Sequence, residues 1–190
     1  MSFFKTLKSS SQNLSKIGPL CVCSMMLALR IVLGVFSNFT LSFAPFVKIG
    51  FTFLPIVIVA YLYGPVCAAI VSGFGDILSI ILSNPTSFSL MPGITACYFF
   101  EGFLLGLVLY SHSAKVWRLS IAFLVVLTLC RLPLNTLVLH IMMNIPYFEL
   151  LMWRSIILVP FAVVEIMLSF IILRLIEKSP QLSQLVKPKN

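Results

Sequence analysis

Residues 150–176 read LLMWRSIILVPFAVVEIMLSFIILRLI. A helix of about 20 apolar residues crosses the roughly 30 Å hydrocarbon core of a bilayer, and this run exceeds that length. Backbone N–H and C=O groups in lipid must be satisfied within the segment, so the run is a helix rather than a strand. It nevertheless contains Arg154 and Glu165. Ionisable groups inside such helices are costly and face a bundle interior, where they serve a ligand or an ion path. The stretch therefore defines a membrane protein with several helices and something polar to hold.

Five more apolar segments lie upstream, at about 17–41, 51–63, 66–82, 91–110 and 118–141. Between them stand the Pro45- and Lys48-bearing stretch 42–50, the turn signal Gly64-Pro65, the polar runs 83–87 and 111–117, and the stretch 142–149. Pro133 predicts a kink in the fifth segment. The expected fold is all-α, a bundle of six transmembrane helices. A Ser- and Lys-rich lead-in covers 1–16, the membrane domain 17–176 and a basic tail 177–190.

Composition agrees with this. Hydrophobic residues make up 60% and charged residues 9% of the chain, against about 25% charged in soluble domains, and mean hydropathy is +1.11. The net charge of +8 marks topology and no nucleic-acid partner. With six crossings, Lys5, Lys8, Lys16, Lys115, Arg118, Arg174, Lys178, Lys187 and Lys189 fall on one side, so both termini are expected in the cytoplasm. The first apolar run is too long for a signal peptide and lacks a small-x-small cleavage site, so it reads as a retained helix. Cys21, Cys23, Cys67, Cys97 and Cys130 have no metal-ligand spacing and read as small packing residues. No P-loop, cofactor fingerprint or nucleophile–base constellation is present. The expectation is a non-enzyme without cofactor or metal.

Chemistry rests on the charges buried in the segments: Arg30, Asp76, Glu101, Arg131 and Glu165. One reading pairs them with each other, two bases against three acids. The other gives the arginines to a ligand. Arg131 and Asn135 are four apart and share a helix face, with Thr136 beside them, and Asn135 both donates and accepts hydrogen bonds, as a heterocycle requires. Arg131→Ala is then expected to abolish binding and leave folding intact. Arg154 and Glu165, eleven apart, line one face of the last helix. Arg154 and Lys48 together offer a positive vestibule for an anion. Phe88, Tyr98, Tyr147 and Trp153 lie near the outer loops, either as an interfacial belt or as a stacking wall for a flat ligand. On the first helix Ser24 and Ala28 form a small-xxx-small pair, and Arg30 lies about 200° around from Ala28. One face can dock a partner while the other holds a ligand. Ala69/Gly73 and Gly102/Gly106 share this spacing and read as internal packing contacts.

The order of several short motifs resembles a known family. They are Ala28-Leu29-Arg30-Ile31-Val32-Leu33-Gly34, Lys48-Ile49-Gly50-Phe51, Leu54-Pro55, Tyr63-Gly64-Pro65, Gly73-x-x-Asp76-Ile77-Leu78, Pro92-Gly93-Ile94-Thr95, Asn135-Thr136 and Arg154. Over about residues 20–175 the chain resembles the substrate-binding S components of energy-coupling factor (ECF) transporters, within them the folate type. The resemblance implies a six-helix cell-membrane subunit of a prokaryotic ABC importer. Such a subunit binds a vitamin near its outer face and docks on a transmembrane coupling subunit with two cytoplasmic ATPases. It implies Arg30, Lys48, Arg131 and Arg154 for the carboxylates of folate, and Thr95, Asn135, Thr136 and aromatics such as Phe88 and Tyr98 for its pterin. The family's Ala-xxx-Ala docking pattern has its nearest match in Ser24-xxx-Ala28, and Ile94 replaces the usual Phe of its Pro-Gly-Phe-Thr motif. Other vitamin S components, for a queuosine precursor or pantothenate, are alternatives; cationic thiamine fits the positive outer residues poorly. A proton-coupled carrier using Asp76, Glu101 and Glu165 is a rival of a different class.

Overall fold

The structure, a computed structural model, describes residues 10–11, 17–40, 50–83, 92–110, 116–143 and 146–178. Every regular element among them is helical: α1 Ile17–Thr40, α2 Phe53–Tyr63, α3 Pro65–Ser83, α4 Pro92–Leu109, α5 Val116–Val126, a π-helical segment Leu127–Leu134, α6 Asn135–Met143 and α7 Tyr147–Lys178. α5, the π segment and α6 follow without interruption as a fifth passage, so these elements make six helical rods.

Five of the rods are long and apolar enough to cross a membrane: Ile17–Phe36, Pro65–Ser83, Pro92–Leu109, Val116–Ile141 and Tyr147–Lys178. α2 is shorter than its apolar run predicts. It begins at Phe53 rather than Phe51, because residues 50–52 form a bend and a turn closed by the Leu54 N–H to the Phe51 carbonyl at 3.1 Å. At about 1.5 Å per residue, its 11 residues cover roughly 16 Å. Nine of them are buried, as expected of a helix that is apolar on every side. α2 is thus the central helix of the core, and protein rather than lipid surrounds it.

α7 shows the opposite pattern. Its buried residues are Leu150, Arg154, Leu158, Ala162, Glu165, Ser169, Leu173 and Ile176, one stripe at helical spacing. Met152, Trp153, Ile156, Val163, Met167 and Ile171 between them are exposed, facing where lipid would lie. Arg154 and Glu165 occupy the same inward stripe, as their spacing of eleven requires.

Helices without a hydrophobic driving force between them associate by close packing, which small residues allow. α3 and α4 form the most intimate pair. A Cβ on Gly102 would strike the Ala68 backbone, and one on Gly106 the Pro65 backbone. The two glycines are internal packing contacts, as read from the sequence. α2 turns into α3 through Gly64, whose φ of 91° lies in the left-handed region open to glycine. Ser10 closes this turn: its Oγ donates to the Tyr63 carbonyl at 2.8 Å and accepts from the Val66 N–H at 3.1 Å.

At the same end the Tyr61 hydroxyl donates to Glu177 Oε1 at 2.6 Å. Ser10 and Glu177 therefore lie at one end of the bundle. The main apolar cluster extends from there along α2 to Phe53, with Ile56, Val59, Leu105, Phe123 and Leu173 among its members. The buried charges gather beyond it, towards the opposite end.

Gly102→Leu is expected to cost about 1–3 kcal/mol through overpacking against a backbone that cannot yield. Phe100→Leu, at a position 59% exposed, is expected to cost little. Thermal unfolding of the two purified variants in detergent distinguishes them; equal midpoints would refute the close-approach account.

Candidate functional site

Pro133 cannot donate a backbone hydrogen bond, and its ring clashes with the carbonyl four residues back in a regular α-helix. The fifth rod answers by widening. The Asn135 N–H reaches the Cys130 carbonyl, five residues back, which is the π pattern. The predicted disruption at Pro133 is therefore a wide turn over Leu127–Leu134.

Arg131 lies in this turn and reaches two other helices. Its Nη2 and Nε donate to Glu101 Oε1 of α4 at 2.5 and 3.2 Å, and its Nη1 donates to Glu165 Oε2 of α7 at 2.5 Å. The reading that pairs the buried charges describes these three residues. One turn on, Asn135 leaves that cluster, and its Oδ1 accepts from Arg154 Nη1 of α7 at 3.2 Å. Arg131 and Asn135 thus both bridge the fifth rod to α7, each to a different residue of the buried stripe. Thr136, beside them, is fully buried and its Oγ1 has no partner among the described residues.

Across the bundle, Arg30 is 3% exposed. Its stem lies where a side chain on Gly75 would sit. Its Nη1 donates to the Thr52 carbonyl at 3.1 Å, and its guanidinium stands 5.2 Å from the centre of the Tyr98 ring, within cation–π range. The Thr95 hydroxyl donates to Asp76 Oδ2 at 3.1 Å. Arg30, Thr95, Tyr98, Arg131, Asn135, Thr136 and Arg154 thus fall in the half of the bundle away from Ser10 and Glu177. Lys48 and Phe88 lie outside the described residues. Ser24 and Ala28 are exposed on α1, turned away from the buried Arg30.

The charges are unevenly matched. Arg131 takes both glutamates. Among the described residues Arg30 and Arg154, buried to 3% and 5% exposure, contact no carboxylate, and the Nε of each has no hydrogen-bond partner. An ion removed from water without a counter-charge costs several kcal/mol. Arg30 stacks near Tyr98 and Arg154 holds Asn135, so two buried cations without a carboxylate contact among the described residues stand in this half of the bundle.

The sequence reading singled out the arginines but missed Thr52, which acts through its backbone carbonyl and so has no side-chain signature. It also left Asp76 without its partner Thr95, since nothing in a spacing of nineteen across two helices fixes that contact. Among the described residues no group of three His, Cys, Asp or Glu side chains is placed to hold a metal, and all five cysteines are free thiols.

A multi-pass bundle with polar groups converging inside it, and an unpaired pair of buried cations, is the architecture of a membrane protein that binds a small anionic molecule. The family of ECF transporter substrate-specific components matches residues 19–177, and the chain belongs to it. It is accordingly a binding subunit of a transporter and not an enzyme. The folate transporter FolT of Clostridium novyi (strain NT) is 27% identical over 129 residues, 68% of this chain and 72% of that protein. The crystal structure of FolT bound with folic acid superposes with a TM-score of 0.72 at 25% identity, covering 82% of this chain and 92% of that one.

The geometry changes what substitution of Arg131 is expected to do. Removing it leaves Glu101 and Glu165 buried without their cation, a change typically costing about 3–5 kcal/mol. Arg131→Met is expected to lower the thermal midpoint sharply, and adding Glu101→Gln and Glu165→Gln to recover most of the loss. A stable single variant, by detergent-exchange size exclusion and thermal unfolding, would remove Arg131 as a structural staple.

Proposed function

We propose that this chain is the folate-binding S component of an ECF-type ABC importer in a prokaryotic cell membrane. The observation that carries this reading is the pair of buried guanidiniums, Arg30 and Arg154, neither of which touches a carboxylate among the described residues. Folate joins a flat pterin to a glutamate bearing two carboxylates, and two unpaired cations complement such a tail. Arg131, whose Nη1, Nη2 and Nε are engaged by Glu101 and Glu165, leaves carboxylate recognition to them, with Lys48 as a further cation at the entrance. Asn135, Thr136 and Thr95 supply donors and acceptors for the pterin edge, and Tyr98 and Phe88 supply flat surfaces for its rings. The similarity to FolT, seen in crystals with folic acid, supports the same ligand class.

Energy comes from elsewhere in this reading: a transmembrane coupling subunit and two cytoplasmic ATPases. Ser24 and Ala28 leave a shallow strip on the exposed face of α1, where a partner helix can approach closely. Residues 17–176 form the membrane domain, flanked by the 1–16 lead-in and the 177–190 tail, with both termini in the cytoplasm.

Arg30→Ala and Arg154→Ala are each expected to weaken folate binding by about 30- to 150-fold, equivalent to roughly 2–3 kcal/mol for a desolvated charge contact. The check is calorimetric titration of the detergent-purified chain with folate, then pantothenate, thiamine and queuosine precursors. Saturation by another vitamin would keep the architecture and replace the ligand. Silence throughout, combined with transport by the chain alone, would favour a proton-coupled carrier.

The sidedness has its own expected outcome. Single cysteines introduced in the 1–16 and 177–190 segments, on a background lacking exposed Cys21, are expected to react with a membrane-impermeant maleimide only after cells are opened. Labelling of intact cells at either end would invert the topology.

A further inference from the structure

Asn135 opens α6 just past the wide turn at Pro133, and its Oδ1 accepts from Arg154 Nη1 of α7 at 3.2 Å. A carboxamide by itself leaves open which end meets a partner, because its oxygen and nitrogen differ little in shape. Here the partner decides. A guanidinium has only N–H donors and no acceptor, so the oxygen of Asn135 alone can meet it. Turning the amide over would set Nδ2 against Nη1, donor against donor, beside a buried cation.

The contact therefore fixes a polarity. With Oδ1 on Arg154, Asn135 presents the N–H groups of Nδ2 to whatever approaches it. No hydrogen bond ties Nδ2 among the described residues. Asn135 is half-buried, and it is not sealed in the bundle as the Thr136 hydroxyl is. Arg154 adds the donor Nε, also without a partner among the described residues. Thr136 imposes no comparable choice, since a hydroxyl rotates to donate or to accept.

We infer that Asn135, held in one orientation by Arg154, is a specificity-determining residue that selects a proton-free oxygen on the ligand, either the ring carbonyl of the pterin or a carboxylate of the folate tail. This rests on the proposed folate reading and deepens it: a side chain able to donate and accept becomes one that donates. Arg154 is then both a cation for the ligand and, through Asn135, a positioning residue. An amino group in place of that oxygen would face Nδ2 donor to donor, and a site built to hydrogen-bond one group discriminates strongly against a ligand that cannot reciprocate.

The test is calorimetric titration of the full, detergent-purified chain at one pH with folate, aminopterin and pteroate. Aminopterin carries an amino group where folate has its ring carbonyl oxygen, and pteroate lacks the glutamate. Folate and aminopterin share the tail, so changes in tail binding cancel in their ratio. If the ring carbonyl is read, wild type prefers folate to aminopterin by about tenfold or more. Asn135→Leu then abolishes the preference, and Asn135→Asp, which has no donor but keeps a partner for Arg154, abolishes or reverses it. Arg154→Met frees the amide to turn and brings the ratio towards one. If a tail carboxylate is read, the folate–aminopterin ratio does not move, and the preference for folate over pteroate falls about tenfold in Asn135→Leu, where Arg154 keeps its charge. Both ratios unmoved by Asn135→Leu and Asn135→Asp overturn the inference while the folate reading stands. A folate–aminopterin ratio that moves in those variants but not in Arg154→Met overturns the orienting role of Arg154. No binding of any of the three by the wild-type chain overturns the folate reading and the inference with it. Thermal unfolding identifies a variant that does not fold; Asn135→Leu and Asn135→Asp each remove the donor, so either one decides.

Discussion

The contact on which the charged half of this bundle depends is the double ion pair of Arg131. It joins α4 to the π segment through Glu101, and the π segment to α7 through Glu165. These three elements have no other shared polar tie among the described residues. A carboxylate left alone at such depth costs several kcal/mol, whereas the complete cluster satisfies both acids and three of the five guanidinium N–H groups. The wide turn around Pro133 is part of the same device. It alters the course of the rod between Arg131 and Asn135, so that the first meets the glutamates while the second meets Arg154.

How much of this could be read from the chain differs from one element to the next. α7 was legible because lipid on one side and protein on the other impose a stripe, and Arg154, Leu158, Ala162 and Glu165 fall on it. The turn at Gly64 was legible because a Gly-Pro pair permits little else. The all-round burial of α2 was not legible. A helix surrounded by protein and one surrounded by lipid have the same apolar composition, so hydropathy cannot tell the core helix Phe53–Tyr63 from a crossing. The spacing of Arg131 and Asn135 suggested one shared face, and both do reach α7, but the π-helical backbone at Pro133 and the different partner of each had no signature in that spacing. The buried charges were visible one by one. Which of three acids meets which arginine depends on helix packing, and helix packing depends on close approaches such as Gly102 to Ala68.

The two ends of the bundle divide the physical work. In lipid, apolar side chains gain nothing from leaving water, so the apolar end must hold together by contact and hydrogen bonding. It has the Gly102 and Gly106 approaches to α3, the Ser10 bridge across the α2–α3 turn, and the Tyr61–Glu177 bond joining α2 to the end of α7. The far half contains Arg30 and Arg154, in contact with no carboxylate among the described residues, together with a Thr136 hydroxyl that has no partner among them. A structure tolerates such groups only when it is fixed elsewhere, and here it is fixed by the packed end and by the Arg131 cluster. The same groups that lower the stability of the empty protein are those an incoming anion would satisfy. On the proposed reading, matched ion pairs at those positions would leave the bundle no uncommitted cation for a ligand.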